Sequence, residues 1–177
     1  MIAMPTPLQR DTRPIPRRSP RPTGWLGLES SPPHPSDFLG YRLWHVHHAW
    51  QRFLEHALGP LGLTHIQFVL LLTVAWFEGQ GQRPSQAGLV EFTHFEKMMV
   101  SRVLRSLEER GLVARSPHPD DPRANGIALT ASGRAAFEAA LPVIAAAQER
   151  FFACLGPARR DAFAAELGCI MAERDLA

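Results

Sequence analysis

Apolar side chains recur along the chain with two different spacings, and the change between them divides the sequence into elements. From about Asp37 to Leu58 they follow the three-to-four-residue spacing of a helix, until the turn residues GPLG interrupt it. A second, very apolar helix is predicted to begin at the capping-box sequence THIQ, which starts at Thr64, and to end near Glu78. Ser85 is suited to cap a short third helix.

The fourth predicted helix has two unlike faces. We expect it to begin at a second capping box, formed by Thr93 and Glu96, and to end at Gly111, which suits the left-handed residue after a helix. At about 100° per residue, one side is apolar and consists of Met99, Val100, Val103, Leu104 and Leu107. The opposite side consists of Lys97, Met98, Ser101, Arg102 and Arg105. The apolar side must be buried, which leaves the cationic side to face something else.

The spacing then changes to that of short β-strands. Residues 112–116 and 126–130 are strand-like, and the segment PHPDDPRAN between them is rich in turn formers. This pattern predicts a β-hairpin with a long polar tip. A long helix should begin at Thr130 or Ser132, and a last helix at Pro157, where proline costs no hydrogen bond.

The N-terminal residues 1–35 fit neither a helix nor a strand. Nine of the sixteen prolines lie there, and five arginines against Asp11 give the first 22 residues a charge of about +4, within a total of +2. We therefore predict a disordered Arg/Pro-rich arm at 1–35 and a single domain at 36–177. Because the rest of the chain is slightly acidic, the overall charge carries no argument about nucleic acid.

Several classes of protein are disfavoured by what the sequence lacks. No apolar run approaches 18 residues, since IQFVLLLTVAWF stops at Glu78, and the N-terminus has no apolar signal core. We expect a cytoplasmic protein with no membrane partner, in which Cys154 and Cys169 stay reduced and buried. There is no G-x-S-x-G, P-loop or H-E-x-x-H motif, so neither an enzyme nor a cofactor is indicated.

Two helices joined by a tight turn and followed at once by a hairpin give the order of a winged helix-turn-helix. The predicted partner of the Lys97 side of the fourth helix is double-stranded DNA, since arginine and lysine reach guanine edges and phosphates in the major groove. Arg123 in the hairpin tip suits the narrow minor groove. A merely solvated helix face is the alternative, and the adjoining hairpin argues against it.

At this point the chain resembles the MarR (multiple-antibiotic-resistance regulator) family of transcription factors, from about Leu39 to Met171. The segments that carry the resemblance are LGLTHIQFVLL, VSRVLRSLEERGLVAR and DDPRANGIALTASGR. The last of these is similar to the family's wing signature, through Asp121, Arg123, Leu129, Thr130, Gly133 and Arg134. The resemblance implies a mainly α fold with a small β-hairpin wing. It places a winged helix-turn-helix at about 61–131 between dimerisation helices at about 37–58 and 131–175, and implies a homodimer.

The resemblance also implies roles for single residues. Ser101, Arg102 and Arg105 occupy the side of the recognition helix that reads bases and phosphates, and Arg123 enters the minor groove. Asp121 is expected to orient the wing by pairing with an arginine such as Arg115. Family members often carry glycine in the turn before the recognition helix, whereas this chain has His94, which a left-handed turn only tolerates.

Histidines concentrate near the start of the domain. In the family, small anionic and often aromatic effectors bind where the first helices meet the winged domain. The imidazoles of three histidines in this region would offer such an effector hydrogen bonds and partial positive charge. The candidate ligand-binding residues by resemblance are His45, His48 and His65, with Trp44, Phe68 and Trp76 as apolar walls. The alternatives are ordinary surface histidines, or a zinc site for which no Cys, Asp or Glu completes the set at ligand spacing.

The function that the resemblance implies is a homodimeric repressor released from a pseudo-palindromic operator by a small anionic or aromatic effector. The alternative is a related regulator without such an effector, or one that responds to redox or metal. Redox sensing is disfavoured because family thiol sensors place their reactive cysteine in the first helix, where this chain has histidine and tryptophan. The effector, the operator, the direction of regulation and the role of the arm stay open.

Overall fold

The computed structural model describes residues 34–117 and 125–174. Within these ranges the chain forms six α-helices and one two-stranded antiparallel sheet. In chain order they are α1 (Leu39–Leu58), α2 (His65–Gly79), α3 (Gln86–Thr93), α4 (Lys97–Glu109), β1 (Val113–Pro117), β2 (Asn125–Leu129), α5 (Ala131–Phe151) and α6 (Pro157–Arg174). The predicted order of four helices, a hairpin and two helices is confirmed. Residues 1–33 of the arm, and the hairpin tip with Asp121 and Arg123, lie outside the described residues.

The start of α2 is fixed by the predicted capping box. The Thr64 hydroxyl accepts a hydrogen bond from the backbone N–H of Gln67 (3.2 Å), and Gln67 Oε1 accepts one from the backbone N–H of Thr64 (3.0 Å). These two reciprocal bonds satisfy donors that the first turn of a helix otherwise leaves free. α1 begins at Leu39, slightly later than predicted, after a 3₁₀ turn at Pro35–Asp37.

The predicted capping box at Thr93 and Glu96 is wrong. Thr93 is the last residue of α3, where its hydroxyl donates to the carbonyl of Leu89 at 2.6 Å. His94 follows in a left-handed conformation with φ 54°, and α4 then begins after Glu96, whose side chain makes no capping hydrogen bond. Because a left-handed residue ends a helix, Thr93 belongs to the helix before the turn and has no role at the start of α4.

The core lies where α2, α4 and the base of the hairpin meet. The predicted apolar side of α4 faces this core, with Val100, Leu104 and Leu107 fully buried and Val103 packed against them. The other buried side chains of the cluster are Leu58, Leu63, Phe68, Leu70, Leu71, Val74, Leu89, Leu112, Val113, Ile127 and Ala140. Burial of this apolar surface is the main force that holds α4 in place.

The C-terminal helices begin as predicted. Thr130, and not Ser132, caps α5: its hydroxyl accepts from the backbone N–H of Gly133 (2.9 Å) and donates to the carbonyl of Gly111 (2.6 Å). Pro157 opens α6. The prediction that the two cysteines are buried is wrong for the single chain, in which Cys154 and Cys169 are both exposed.

Exposed apolar side chains concentrate on α1 and α6. They are Leu39, Tyr41, Leu43, Trp44, Val46, Phe163, Ile170 and Met171, and Leu39 is 77% exposed. Apolar side chains left exposed along two helices favour a protein–protein interface there.

Among residues 34–117 and 125–174, no single helix is long and apolar enough to cross a membrane. The segments Leu39–Leu61 and His65–Gly79 pass that test only as a pair, with a bend of 80° between them.

Gly133 is required where α5 passes against the backbone of Leu112, the residue before β1. A Cβ atom on Gly133 would stand 1.8 Å from the carbonyl oxygen of Leu112, so the backbone itself would have to move. We expect Gly133→Ala to lower the free energy of unfolding by about 2–3 kcal/mol, as overpacking of a rigid core does.

Chemical denaturation measures this effect, with Gly79→Ala as the matched control. A Cβ on Gly79 meets no atom within 4 Å, so its substitution should change the free energy of unfolding by less than about 0.5 kcal/mol. Equal effects of the two substitutions would contradict the close approach of α5 and Leu112.

Candidate DNA-binding surface and histidine cluster

The solvent side of α4 carries the residues that the sequence placed there. Lys97, Arg102 and Arg105 are exposed, Met98 is 68% exposed, and Ser101 is half-buried. The apolar and cationic sides of α4 therefore face the core and the solvent respectively. An exposed row of cations on one helix is the side-chain chemistry that reads guanine edges and phosphates.

A buried glutamine joins α4 to the start of α2. Gln67 is only 8% exposed, and its Nε2 donates to the hydroxyl of Ser106 at 3.3 Å. Arg110, just beyond the end of α4, donates from Nη1 to Gln67 Oε1 at 3.1 Å. One amide thus completes the capping box of α2 and bonds to the C-terminal half of α4. A buried polar group needs such partners, because a buried donor or acceptor without a hydrogen bond costs about 1–3 kcal/mol.

The left-handed turn before α4 is made by the residue that departs from the family pattern. His94 has φ 54°, which is uncommon for a side chain other than glycine. The hydroxyl of Thr93 accepts from the backbone N–H of Phe95 at 3.3 Å and supports this turn from one side. His94 therefore adopts the left-handed conformation that is expected of a glycine at this position.

The hairpin that follows α4 is a short antiparallel pair, in register from Val113↔Leu129 to Pro117↔Asn125. Arg115 in β1 pairs with Glu108 of α4, at 3.1 Å between Nε and Oε2. The expected pairing of Arg115 with Asp121 concerns a residue outside the described ranges. The Glu108 contact connects β1 with the recognition helix on the solvent side.

A carboxylate at the other end of α2 supports the base of the hairpin. Glu78 Oε1 accepts from the backbone N–H of Leu129 at 2.8 Å, and its Oε2 accepts from the guanidinium of Arg134 in α5. The sequence indicated Glu78 only as the end of an apolar run. No local pattern pointed to its contacts, because Leu129 and Arg134 lie 51 and 56 residues away.

The histidine cluster lies on the exposed side of α1. The ring of Trp44 stands edge-on to His45 and His48, with centroid separations of 4.8 and 4.5 Å, and Trp44 is 54% exposed. His65, at the first position of α2, is half-buried. Burial lowers the pKa of His65, and nearby His47 lowers it further while Glu55 partly offsets the shift, so the neutral form of this imidazole is favoured.

The two remaining ligand-wall candidates lie in separate clusters. Phe68 is 4% exposed and stacks on Phe137 of α5 at 6.2 Å between centroids. Trp76 stands against Phe77 and Phe92, with 5.0 Å between its ring centroid and each of theirs. Within one chain the structure thus brings together Trp44, His45 and His48 but adds neither Phe68 nor Trp76 to them. The described residues contain no group of three His, Cys, Asp or Glu that could hold a metal ion.

Two helices joined by a tight turn, the second exposed along a cationic side and followed by an antiparallel hairpin, define a winged helix-turn-helix DNA-binding protein. The model of the MarR family matches residues 63–124, which span α2 to the hairpin tip. Over 119 residues the chain is 38% identical to the uncharacterized HTH-type transcriptional regulator YdcH of Bacillus subtilis (strain 168), and the match covers 67% of this chain and 81% of YdcH. The chain therefore belongs to the MarR family of transcription regulators, which are not enzymes.

Two further relatives have solved structures. The HTH-type transcriptional repressor Rv2887 of Mycobacterium tuberculosis is 34% identical over 137 residues, 77% of this chain and 92% of that protein. Its crystal structure in complex with DNA matches with a TM-score of 0.61, at 33% identity, over 75% of this chain and 97% of that chain. The structure of Bordetella bronchiseptica BpsR, whose DNA binding is regulated by 6-hydroxynicotinic acid, matches with a TM-score of 0.71, at 28% identity, over 80% and 98%.

Proposed function

We propose that this regulator is a homodimeric repressor that binds a pseudo-palindromic operator in the cytoplasm and is released by a small anionic or aromatic effector. The observation that carries the DNA-binding part is α4, whose cations are exposed along one side while Val100, Leu104 and Leu107 on the other side are fully buried. The DNA complex of Rv2887 supports the same mode of use for this fold.

In the proposed complex, α4 lies in the major groove and the hairpin reaches the adjacent minor groove. The residues assigned to DNA on α4 are Lys97, Met98, Ser101, Arg102 and Arg105. At the wing, Arg123 enters the minor groove and Asp121 orients the hairpin, with Arg115 beside them. Glu108 partly neutralises Arg115, so we assign the major-groove contacts to Arg102 and Arg105, which carry no such carboxylate contact among the described ion pairs.

Arg102→Ala and Arg105→Ala should each weaken operator binding by about 1–3 kcal/mol if the guanidinium contacts a base edge, because a bidentate bond to guanine is lost. Fluorescence anisotropy with a DNA selected from random sequence by the protein itself would measure the change. Arg159→Ala, an exposed arginine of α6, is the matched control and should bind like wild type. If both α4 variants bound with wild-type affinity at several salt concentrations, this side of α4 would not be the DNA surface.

The proposed dimer rests on the exposed apolar side chains of α1 and α6. Leu43 is 51% exposed and Ile170 is 49% exposed, on the two helices that lie farthest from the recognition helix in the chain. A symmetric dimer would cover this surface and would set two copies of α4 about one DNA turn apart. The exposed thiols of Cys154 and Cys169 lie in the same C-terminal region, so we infer that the partner chain covers the surface around them.

Leu43→Asp and Ile170→Asp should each convert the dimer into monomers, because a carboxylate would have to be buried in an apolar interface. Sedimentation equilibrium at micromolar concentration measures the mass, which should be that of two chains for the wild type. Met98→Asp, at an apolar residue of α4 that is 68% exposed, should leave the dimer intact. A stable folded monomer of the wild-type chain would overturn the assignment.

The proposed effector site is formed by His45 and His48 of α1 and His65 at the start of α2. Phe68 and Trp76 of α2 and Trp44 of α1 remain the candidate apolar walls. Because burial lowers its pKa, His65 would offer a ligand a neutral hydrogen-bonding ring. The regulation of BpsR by 6-hydroxynicotinic acid supports an anionic aromatic ligand for this fold.

An anionic aromatic compound should lower the operator affinity of the wild type by about 1–3 kcal/mol, the usual size of coupling between two sites. The triple variant His45→Ala, His48→Ala, His65→Ala should lose this response and bind DNA normally without the compound. Titration of the DNA complex with 6-hydroxynicotinic acid and with a hydroxybenzoic acid measures both. His56→Ala, an exposed histidine near the end of α1, is the control.

An unchanged response in the triple variant would show that these histidines are ordinary surface residues. A wild type that responds to neither compound would favour the second candidate function, a regulator without such an effector.

A further inference from the structure

The side chain of Arg83 crosses both strands of the wing. Arg83 stands in the connection between α2 and α3, and its Nη1 donates to the hydroxyl of Ser116 in β1 at 2.7 Å. On the way it passes over Gly126 in β2, so closely that a Cβ on Gly126 would stand 2.8 Å from Arg83 Cγ and 2.6 Å from Cδ. Ser116 and Gly126 face each other in the hairpin register.

Backbone contacts hold the same connection against β2. The backbone N–H of Ile127 donates to the carbonyl of Pro84 at 2.9 Å, and Ser85 forms an isolated bridge with Gly126. Residues 84–85 therefore extend the hairpin as a partial third strand. These bonds reach only the nearer strand, and the Arg83 side chain adds a contact to the farther one.

The glycine at position 126 is explained by this side chain. Gly126 does not have a positive φ, so its backbone would accept any residue. Glycine inside a strand weakens it and often marks the close approach of another group. Here the group is the aliphatic part of Arg83, the nearest set of atoms to the missing Cβ.

We propose that Arg83 is a positioning residue for the wing: it fixes the angle of the hairpin to α3 and α4, so that wing and recognition helix contact DNA together. The contact lies at the pair next to Pro117↔Asn125, the outermost described pair, so it holds the hairpin far from its base at Val113↔Leu129. This inference rests on the proposed function, in which the wing takes part in operator binding.

The decisive experiment is a double-mutant cycle on Arg83 and Gly126. Arg83→Ala removes the contact with Ser116, and Gly126→Ala keeps the arginine but puts a methyl group in its place. We expect each single variant to lose about tenfold in operator affinity, within the range for one groove contact. The double variant should bind no more weakly than Arg83→Ala, because only Arg83 Cβ, at 3.6 Å, then remains near the methyl group. The proposal would be overturned if the affinity losses of the two single variants simply added in the double variant. It would also be overturned if Arg83→Ala weakened operator binding while Gly126→Ala left it unchanged.

A second measurement separates positioning from a direct phosphate contact by Arg83. A phosphate contact predicts that Arg83→Ala weakens all DNA sequences equally and lowers the salt dependence by about one counterion. Positioning predicts that Arg83→Ala, Gly126→Ala and Ser116→Ala all lose the preference of the wild type for the selected operator over one with scrambled flanks. Thermal unfolding of each variant verifies that it is folded.

The recognition-helix variants show which idea has failed. If Arg102→Ala weakens binding while the variants at Arg83 and Gly126 bind like wild type, the positioning role is wrong and the DNA surface stands. If Arg102→Ala and Arg105→Ala are both also without effect, the proposed DNA surface itself is wrong. A loss in the Arg83 cycle while both α4 variants bind like wild type would overturn the joint contact of wing and recognition helix with DNA.

Discussion

The DNA-facing elements depend on the polar contacts at the two ends of the buried helix α2. At its N-terminal end, Gln67 bonds to Ser106 and Arg110 in and beyond α4. At its C-terminal end, Glu78 bonds to the backbone of β2 and to Arg134 of α5. The apolar residues between these ends supply the burial energy, which has no direction, and the hydrogen bonds supply the direction. The recognition helix and the wing are thus held by opposite ends of the same rigid element.

This arrangement gives the proposed effector site a physical route to the DNA surface. His65 opens α2, two residues before Gln67, and the contacts of Gln67 lead directly to α4. A ligand at His65 that displaced the first turn of α2 would therefore disturb the hydrogen bonds that locate α4. Its effect is limited by the difference between its affinities for the two positions of the helix. The route consists of neighbouring contacts from His65 through Gln67 to α4. The coupling of effector binding to DNA binding through these contacts is part of the proposal.

How far the sequence predicted the structure is illustrated by its two capping-box patterns. Thr64 and Gln67 form the predicted box through two reciprocal hydrogen bonds. The Thr93 hydroxyl instead donates to the carbonyl of Leu89, four residues earlier. His94 then adopts a left-handed conformation, which separates Thr93 from the helix that Glu96 precedes. The periodicity of α4 predicted its buried and exposed sides correctly, because burial depends on position around the helix alone. The roles of Gln67, Glu78 and Arg83 depend on tertiary neighbours 33 to 56 residues away, which no local pattern contains.

The exposure of the two cysteines has a similar explanation, because a local sequence pattern does not show which surfaces a second chain covers. An Ala-rich helix with interspersed apolar residues predicts burial of its thiols, but not against which chain. The winged domain completes its own core with side chains such as Leu70, Leu104 and Ile127, all almost fully buried, while Leu39 on α1 and Met171 on α6 remain 77% and 68% exposed. If a second copy covers that surface, folding of the terminal helices is linked to association, and their stability rises with protein concentration. The spacing of the two recognition helices would then be set by α1 and α6, which depend on the partner chain for their stability. A small ligand can shift the spacing most easily at these helices.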